Sequence, residues 1–462
     1  MTGRALTQRN LVSFGFLLFT SSTGSFVQMM YLTLYMTDFL RIPPAMAAVI
    51  ILAARVVDFI IRLFTDLIID RVHFSWGKYR SWLLILRWVA LGALFLEFWP
   101  FTGMPLGVRL LAVCLGFILH NASMGVSTAA YNALAPLIAG TDMDSRIQME
   151  VYGYYWRTAA TLVVTAVTIP LVLVLMPALG TFAFTLVAML FCVPFIVGAR
   201  MVSNLAKKAD PDGTVRTLRP PVAVKDVAEA LRQNRLLVLL LIVFILYSTA
   251  NQIEMYLRPY YYIYLVGNFS LLALGSTVAF VVSLLFSVYM PAVGRKLGKR
   301  NALIAGLLLC GICTALKYYA GSDWVLYVGI GILSTGSTYI FSRTIVNYFI
   351  DAGEYHYWKT GQDLRQAHVF TFTFPLKLGF MAASAVAVFF LASIGYRPGQ
   401  AFTPEMASGF RFVLNVVPAL MYIAAMVIFA AGYRLKDTDG PRYARMSLER
   451  DLERKEKDAS AE

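Results

Sequence analysis

Apolar runs of twenty or more residues recur along the whole chain, each closed by a short polar loop. Coiled into an α-helix, a run of that length matches a hydrocarbon core of about 30 Å. Twelve such spans are predicted. The first six fall near 11–38, 44–70, 81–100, 107–139, 147–176 and 179–200. The second six fall near 236–266, 271–293, 301–320, 324–350, 366–395 and 409–434. Between the sets lies the longest internal polar stretch, "NLAKKADPDGTVRTLRPPVAVKDVAEALRQNR", opened by Pro and Gly and closed by a predicted short amphipathic helix. The pattern therefore predicts an all-α membrane protein with twelve transmembrane helices in two six-helix bundles, 1–200 and 236–434. A central loop at 201–235 joins them, and a basic and acidic tail follows at 435–462.

One span breaks the pattern. "AARVVDFIIRLFTDLIID" sets Arg55, Asp58, Arg62, Asp66 and Asp70 among Val, Ile, Leu and Phe at intervals of three, four, four and four. On one continuous helix these five share a face roughly 22 Å long. Ionisable groups within a bilayer are costly and normally face a partner or a cavity. A carboxylate there can hold a cation or a proton, or it can serve a structural salt-bridge zipper. Asp58 lies deepest and is the candidate coupling group, with Arg55 and Arg62 beside it. Asp66 and Asp70 approach the following loop and read as structural.

Charge then orients the chain. The net charge of +14 would suit nucleic acid if it lay on one surface, but Lys and Arg sit in alternate loops. Arg71, Lys78, Arg80, the central loop, "GRKLGKR" at 294–300, Lys359 and Arg365 share one side, so that side and both termini are expected to be cytoplasmic. The N-terminus reads as a retained first span, and the four cysteines as small core residues. No nucleotide-phosphate loop, metalloprotease motif or nucleophile elbow occurs, so ATP-driven pumping and intramembrane hydrolysis lack support. The expectation is a transporter, not an enzyme, with no cofactor or metal.

Further polar groups interrupt the spans. Arg157 follows Tyr154, Tyr155 and Trp156, where a guanidinium and an indole face can hold a hydroxylated or anionic substrate, or where the arginine can simply snorkel. Lys377, in "TFTFPLKLGF", has no acid within a turn or two on its own helix and is expected to face a cavity. Span seven offers Gln252, Glu254 and Arg258 before four tyrosines that read as an interfacial belt. His120 and Asn121 read as packed polar groups, and "STAAYNALAP" as a small-residue cavity wall. A basic, glycine-containing loop follows span two ("DRVHFSWGKYR") and again span eight ("GRKLGKR"), a short internal echo.

These residues resemble the glycoside–pentoside–hexuronide:cation symporters, the melibiose permease-like family of the major facilitator superfamily. "FIDAGEYHYWKTGQDLRQAHVFTFTFPLKLG" (349–379) carries the strongest likeness, supported by "RVVDFI", "WGKYRSW", "YNALAP" and "QNRLLVLLL". The resemblance implies the major facilitator fold, a monomer in a bacterial inner membrane, and a sugar-like substrate moved with a cation. It matches Asp58 to the family's cation carboxylate and Lys377 to its substrate-site lysine. Where sodium-using members carry a second carboxylate, this chain has Arg62, whose positive charge repels Na⁺. The family's sugar-binding acids align near Ser22 and Thr128, and its helix-four tryptophan with Asn132. Arg157 lies about a turn beyond the family's arginine. Together with Trp156, Tyr131 and Thr373, these positions form the expected substrate set. Acids are lost and cations retained, which favours an anionic sugar, such as a hexuronide or sulfonated sugar, coupled to H⁺. A lysolipid or other amphiphile carrier and a facilitated-diffusion uniporter are the alternatives.

Overall fold

The computed structural model describes residues 8–461 other than 73, 140–142, 212–223 and 397–401. The middle of the central loop, 212–223, and the side chains of Arg62, Asp66 and Asp70 lie outside the described residues. Among the described residues every regular element is helical. Ten helices are long and apolar enough to cross a membrane: span one Gln8–Phe39, two Pro44–Ile61, three Arg80–Phe98, four Leu106–Ala139, five Tyr152–Leu179, six Phe182–Lys208, seven Arg235–Leu265, nine Lys299–Ala320, eleven Arg365–Ser393 and twelve Pro404–Gly432. Spans eight and ten are the helices Ser270–Leu297 and Trp324–Thr360, whose described apolar stretches, Ser270–Ala279 and Trp324–Thr338, are shorter. The fold is thus an all-α, multi-pass membrane architecture. A short helix, Val224–Gln233, leads into span seven, and a tail helix runs Asp439–Ala461.

By contact the chain divides into two compact units. The first comprises Met1–Pro221, Tyr256–Thr277 and Ser384–Met406, and the second Val222–Met255, Val278–Ala383 and Ala407–Glu462. The core of the first gathers around Leu17, Leu83, Leu134 and Phe195, and that of the second around Leu240, Leu303, Phe341 and Phe429.

Span two departs from expectation. The helix Pro44–Leu63 stops at Phe64 (φ −102°, ψ 2°), and a separate helix Thr65–Arg71 follows. Thr65 Oγ1 donates back to Ile61 O at 3.2 Å, a bond that competes with the helical ladder and bends it. The five charges are therefore not one continuous ladder. Arg55 and Asp58 belong to the longer helix, and Asp66 and Asp70 to the short one. Span eleven also breaks, between Thr371 and Thr373. Pro375 has no N–H to give Thr371 O, so the ladder cannot run through that point.

The echo between the two basic loops is a shared joint. After span six, Asp210 turns back and accepts the backbone N–H groups of Lys78 (3.0 Å), Tyr79 (2.8 Å) and Arg80 (2.9 Å), capping span three. Arg80 Nε donates to Ser203 O at 2.7 Å. After span twelve, Asp437 accepts the N–H of Arg300 (3.2 Å), and Arg300 Nη2 donates to Ala430 O at 2.9 Å. In each joint the carbonyl lies seven residues before the aspartate. Each also needs a glycine at positive φ, Gly77 (100°) and Gly298 (79°). There a Cβ would come within 2.7 Å of Asp210 O or Asp437 Oδ2. Asp210 is 5% exposed and its three accepted bonds are charge-assisted, so Asp210→Ala is expected to cost roughly 2–4 kcal/mol. A thermal-shift series in detergent should show a clear drop for Asp210→Ala and a smaller one for Asp210→Asn. Equal melting of wild type and the alanine variant would refute the clasp.

Spans one and seven also end alike. Each closes in a five-residue π turn, Tyr35–Phe39 and Tyr261–Leu265. Leu40 N bonds Tyr35 O and Ile42 N bonds Met36 O, while Val266 N bonds Tyr261 O and Asn268 N bonds Tyr262 O. A left-handed residue sits inside each closure, Arg41 (φ 51°) in one and Gly267 (φ 73°) in the other.

The stretch 349–379 is a second kind of joint. Gly361 (φ 75°) is the left-handed cap of span ten, its N–H bonding Tyr357 O. Tyr357 Oη donates to Asp451 at 2.6 Å and Arg365 Nη2 to the same carboxylate at 3.0 Å, so the tail helix is pinned to this turn. The Tyr357 hydroxyl, and after it the Arg365 guanidinium, hold the Asp451 carboxyl below its ordinary range.

Candidate functional site

Arg55 and Asp58, one turn apart on span two, are both buried at 8% and 1% exposure. Arg55 Nη2 donates to Tyr256 Oη at 2.9 Å, and its guanidinium lies 4.7 Å from the centre of the Phe117 ring. Asp58 is within electrostatic reach of His120 on span four. The first unit thus holds a buried acid, a guanidinium and an imidazole within one group of helices. That combination can bind and release a proton or hold a small cation.

A second acid, unforeseen from the sequence, lies in the same unit. Glu97 of span three is fully buried and accepts Gln28 Nε2 at 2.7 Å. Gln28 Oε1 in turn accepts Asn121 Nδ2 at 3.2 Å. Gly116 of span four makes the room, since a Cβ there would lie 2.7 Å from Glu97 Cγ. The available signal was a lone acid inside the apolar run "LGALFLEFWP".

The remaining expected residues are spread out. Ser22 and Thr128 are half-buried, and Thr128 Oγ1 is turned to its own backbone at Met124 O, 2.7 Å away. Tyr131 is buried with its ring edge-on to Phe14 at 6.2 Å, and Asn132 is exposed. Trp156 packs into the space left by Gly15, where a Cβ would fall 2.1 Å from its Cδ1, and lies edge-on to Phe19. Arg157 is exposed. In the second unit Lys377 is half-buried and Thr373 exposed. Two residues beyond the lysine, Gly379 lets span seven approach so closely that a Cβ would meet Ser248 Oγ at 2.0 Å. Ser248 also donates to Pro375 O at 2.7 Å. This contact fixes the turn of span eleven that carries Lys377.

Three of the four tyrosines expected at a lipid interface are buried instead, and Tyr264 is half-buried. Tyr260, at the end of the α-helix, and Tyr261 and Tyr262, in the π turn that follows, are at most 1% exposed. Tyr260 Oη pairs with Thr37 Oγ1 at 2.8 Å. Asp38, also missed in the sequence, accepts the hydroxyls of Tyr264 (3.2 Å) and Tyr396, which pair with each other at 2.8 Å. The ends of spans one, seven and eleven are therefore tied through one carboxylate within the first unit. In the second unit Glu254 is ion-paired with Lys317 at 2.8 Å, and Lys317 is 3% exposed with its ammonium 5.1 Å from the Tyr327 ring centre.

Ten membrane-length apolar helices among the described residues, with charged side chains buried among them, define a polytopic membrane protein. The MFS/sugar transport protein family matches residues 13–437, and the chain belongs to that family. It is 24% identical over 409 residues to the glucuronide carrier protein homolog of Escherichia coli, with 86% of each chain covered. It is 24% identical over 382 residues to the isoprimeverose transporter of Lactiplantibacillus pentosus, covering 79% of this chain and 76% of that one. Among solved structures a D-xylose–proton symporter superposes with TM-score 0.65 at 13% identity, covering 93% of this chain and 98% of that one, a likeness of fold.

Proposed function

We propose that this sugar transporter carries an anionic sugar or glycoside by alternating access and is driven by protons, from a bacterial inner membrane with both termini cytoplasmic. The charge inventory carries the reading: Arg62 and Lys377 at matched positions, and Arg157 about a turn beyond one, are cationic, and Ser22 and Thr128 stand near where acids bind sugar hydroxyls in galactoside-type relatives. The glucuronide-carrier relative, named for an acid-bearing sugar, supports the same class. Asp58 is the proton-coupling carboxyl, with Arg55 and Arg62 as its neighbours on span two. Lys377 engages the substrate's acid group, and Arg157 with Trp156 lines its path. The Asp38–Tyr264–Tyr396 cluster is the tie that opens when substrate passes that end of the spans. A neutral disaccharide is the second reading, favoured by the isoprimeverose relative.

Uptake into proteoliposomes of a labelled glucuronide and of a neutral disaccharide, with and without an inward pH gradient, tests the proposal. Gradient-stimulated glucuronide uptake is expected; uptake of the neutral sugar alone overturns the anionic class. Because a fixed positive charge stands at Arg62, exchanging Na⁺ for K⁺ or choline at constant pH should leave the rate unchanged. Saturable Na⁺ stimulation would overturn this reading of span two.

A further inference from the structure

We propose that Glu97 is a second proton-binding residue of the transport cycle, linked to Asp58 through their common neighbour Arg55. The inference rests on the proton-coupled reading above and extends it to a residue that the family resemblance does not assign. Glu97 is fully enclosed, yet only one of its oxygens is bonded: Oε1 accepts Gln28, while Oε2 has no hydrogen-bond partner among the described residues. A structural acid in an apolar core would be expected to have both oxygens satisfied. The vacant lone pairs of Oε2 are where a proton binds.

The surroundings let that proton matter. Gln28 offers its amide to Glu97 and its carbonyl to Asn121, so a polar chain joins spans three, one and four. His120, next along span four, is 1% exposed, and its Nε2 is likewise unbonded among the described residues. Its ring and Cys192 of span six both approach Gly24, one turn before Gln28, where each lies 3.9 Å from a Cβ position. Arg55 sits one turn from Asp58 on its own helix, and its charge also reaches Glu97. The charged and titratable groups within electrostatic reach of Glu97 are Arg55 from span two and Cys192 from span six. Around these lie Asp58, one turn from Arg55, His120, which meets Cys192 at Gly24, and Tyr35 of span one. Tyr35 Oη bonds the carbonyl of the adjacent Phe98 at 2.7 Å. A proton gained by Glu97 removes a negative charge from the field at Arg55, and loss of that proton restores it. Proton occupancy at one acid thereby sets the electrostatic field at the other.

The test compares Glu97→Gln, which keeps shape and hydrogen bonding, with Glu97→Asp, which keeps the acid. Both are reconstituted beside the wild type, and read by gradient-driven accumulation, by counterflow, and by infrared difference spectra of carboxyl groups on a pH step. Glu97→Gln should retain counterflow, lose accumulation and lack one carboxyl band that the wild type shows. Glu97→Asp should restore at least half of the accumulation. A purely structural acid gives the opposite order, with Gln functional and Asp impaired, and an unchanged infrared spectrum in Glu97→Gln overturns the proposal outright. If Glu97→Gln does not fold, the spectrum of Glu97→Asp decides, because a proton-binding site must shift its band and a silent site cannot. Wild-type vesicles that fail to respond to the gradient would refute proton coupling, while the carboxyl band would still report whether Glu97 takes up a proton.

Discussion

Vesicles carrying Asp58→Asn will equilibrate substrate across the membrane but will not concentrate it. With one proton moved per substrate, a gradient of one pH unit is worth about 1.4 kcal/mol and sustains about tenfold accumulation. The wild type should approach that ratio and Asp58→Asn should fall to about one. Counterflow needs only the loaded carrier to reorient, so it should persist. The amide keeps the size of the side chain at a site that is 1% exposed, which limits packing loss. Uncompensated Arg55 would still cost stability, since it is itself buried. The double variant Asp58→Asn/Arg55→Gln separates the two roles. A structural pair predicts that the double variant regains both stability and accumulation. A coupling site predicts regained stability without accumulation. Full accumulation in the double variant would remove Asp58 from the coupling mechanism.

Lys377→Ala is expected to weaken binding of an acid-bearing sugar roughly 10- to 150-fold by calorimetry, since a charge-assisted hydrogen bond contributes about 1.5–3 kcal/mol. Membrane insertion and melting should change little, because span eleven stays apolar and its position is set by Gly379 and Pro375 against Ser248. Lys377→Arg should recover part of the affinity for the anion, and neither change should alter the weak binding of a neutral sugar. Unchanged glucuronide affinity in Lys377→Ala would make the lysine structural and would shift the search for the anion site to Arg157.

The spans were legible because their lengths and apolar composition follow directly from bilayer thickness. The joints at Asp210 and Asp437 were half legible: the glycines and basic residues echo in the sequence, but the aspartates that complete them arrive over a hundred residues later. The break at Phe64 was hidden because the charges on either side keep helical spacing across it. Tyrosine position could not be read at all, since an interfacial ring and a buried one have the same composition around them. Glu97 and Asp38 passed as ordinary charges near span ends. Only the packed helices show that Glu97 meets Gln28 from span one and that Asp38 meets hydroxyls from two distant spans.

The paired π turns are held at unequal cost. A π turn is one residue more than an α-helix needs. Spans one and seven each have that extra residue, the same two wide closures and a left-handed residue at the same place. At 267 that residue is glycine, which takes the conformation freely. At 41 it is arginine, where the same backbone shape is retained against a strain of about 1–2 kcal/mol.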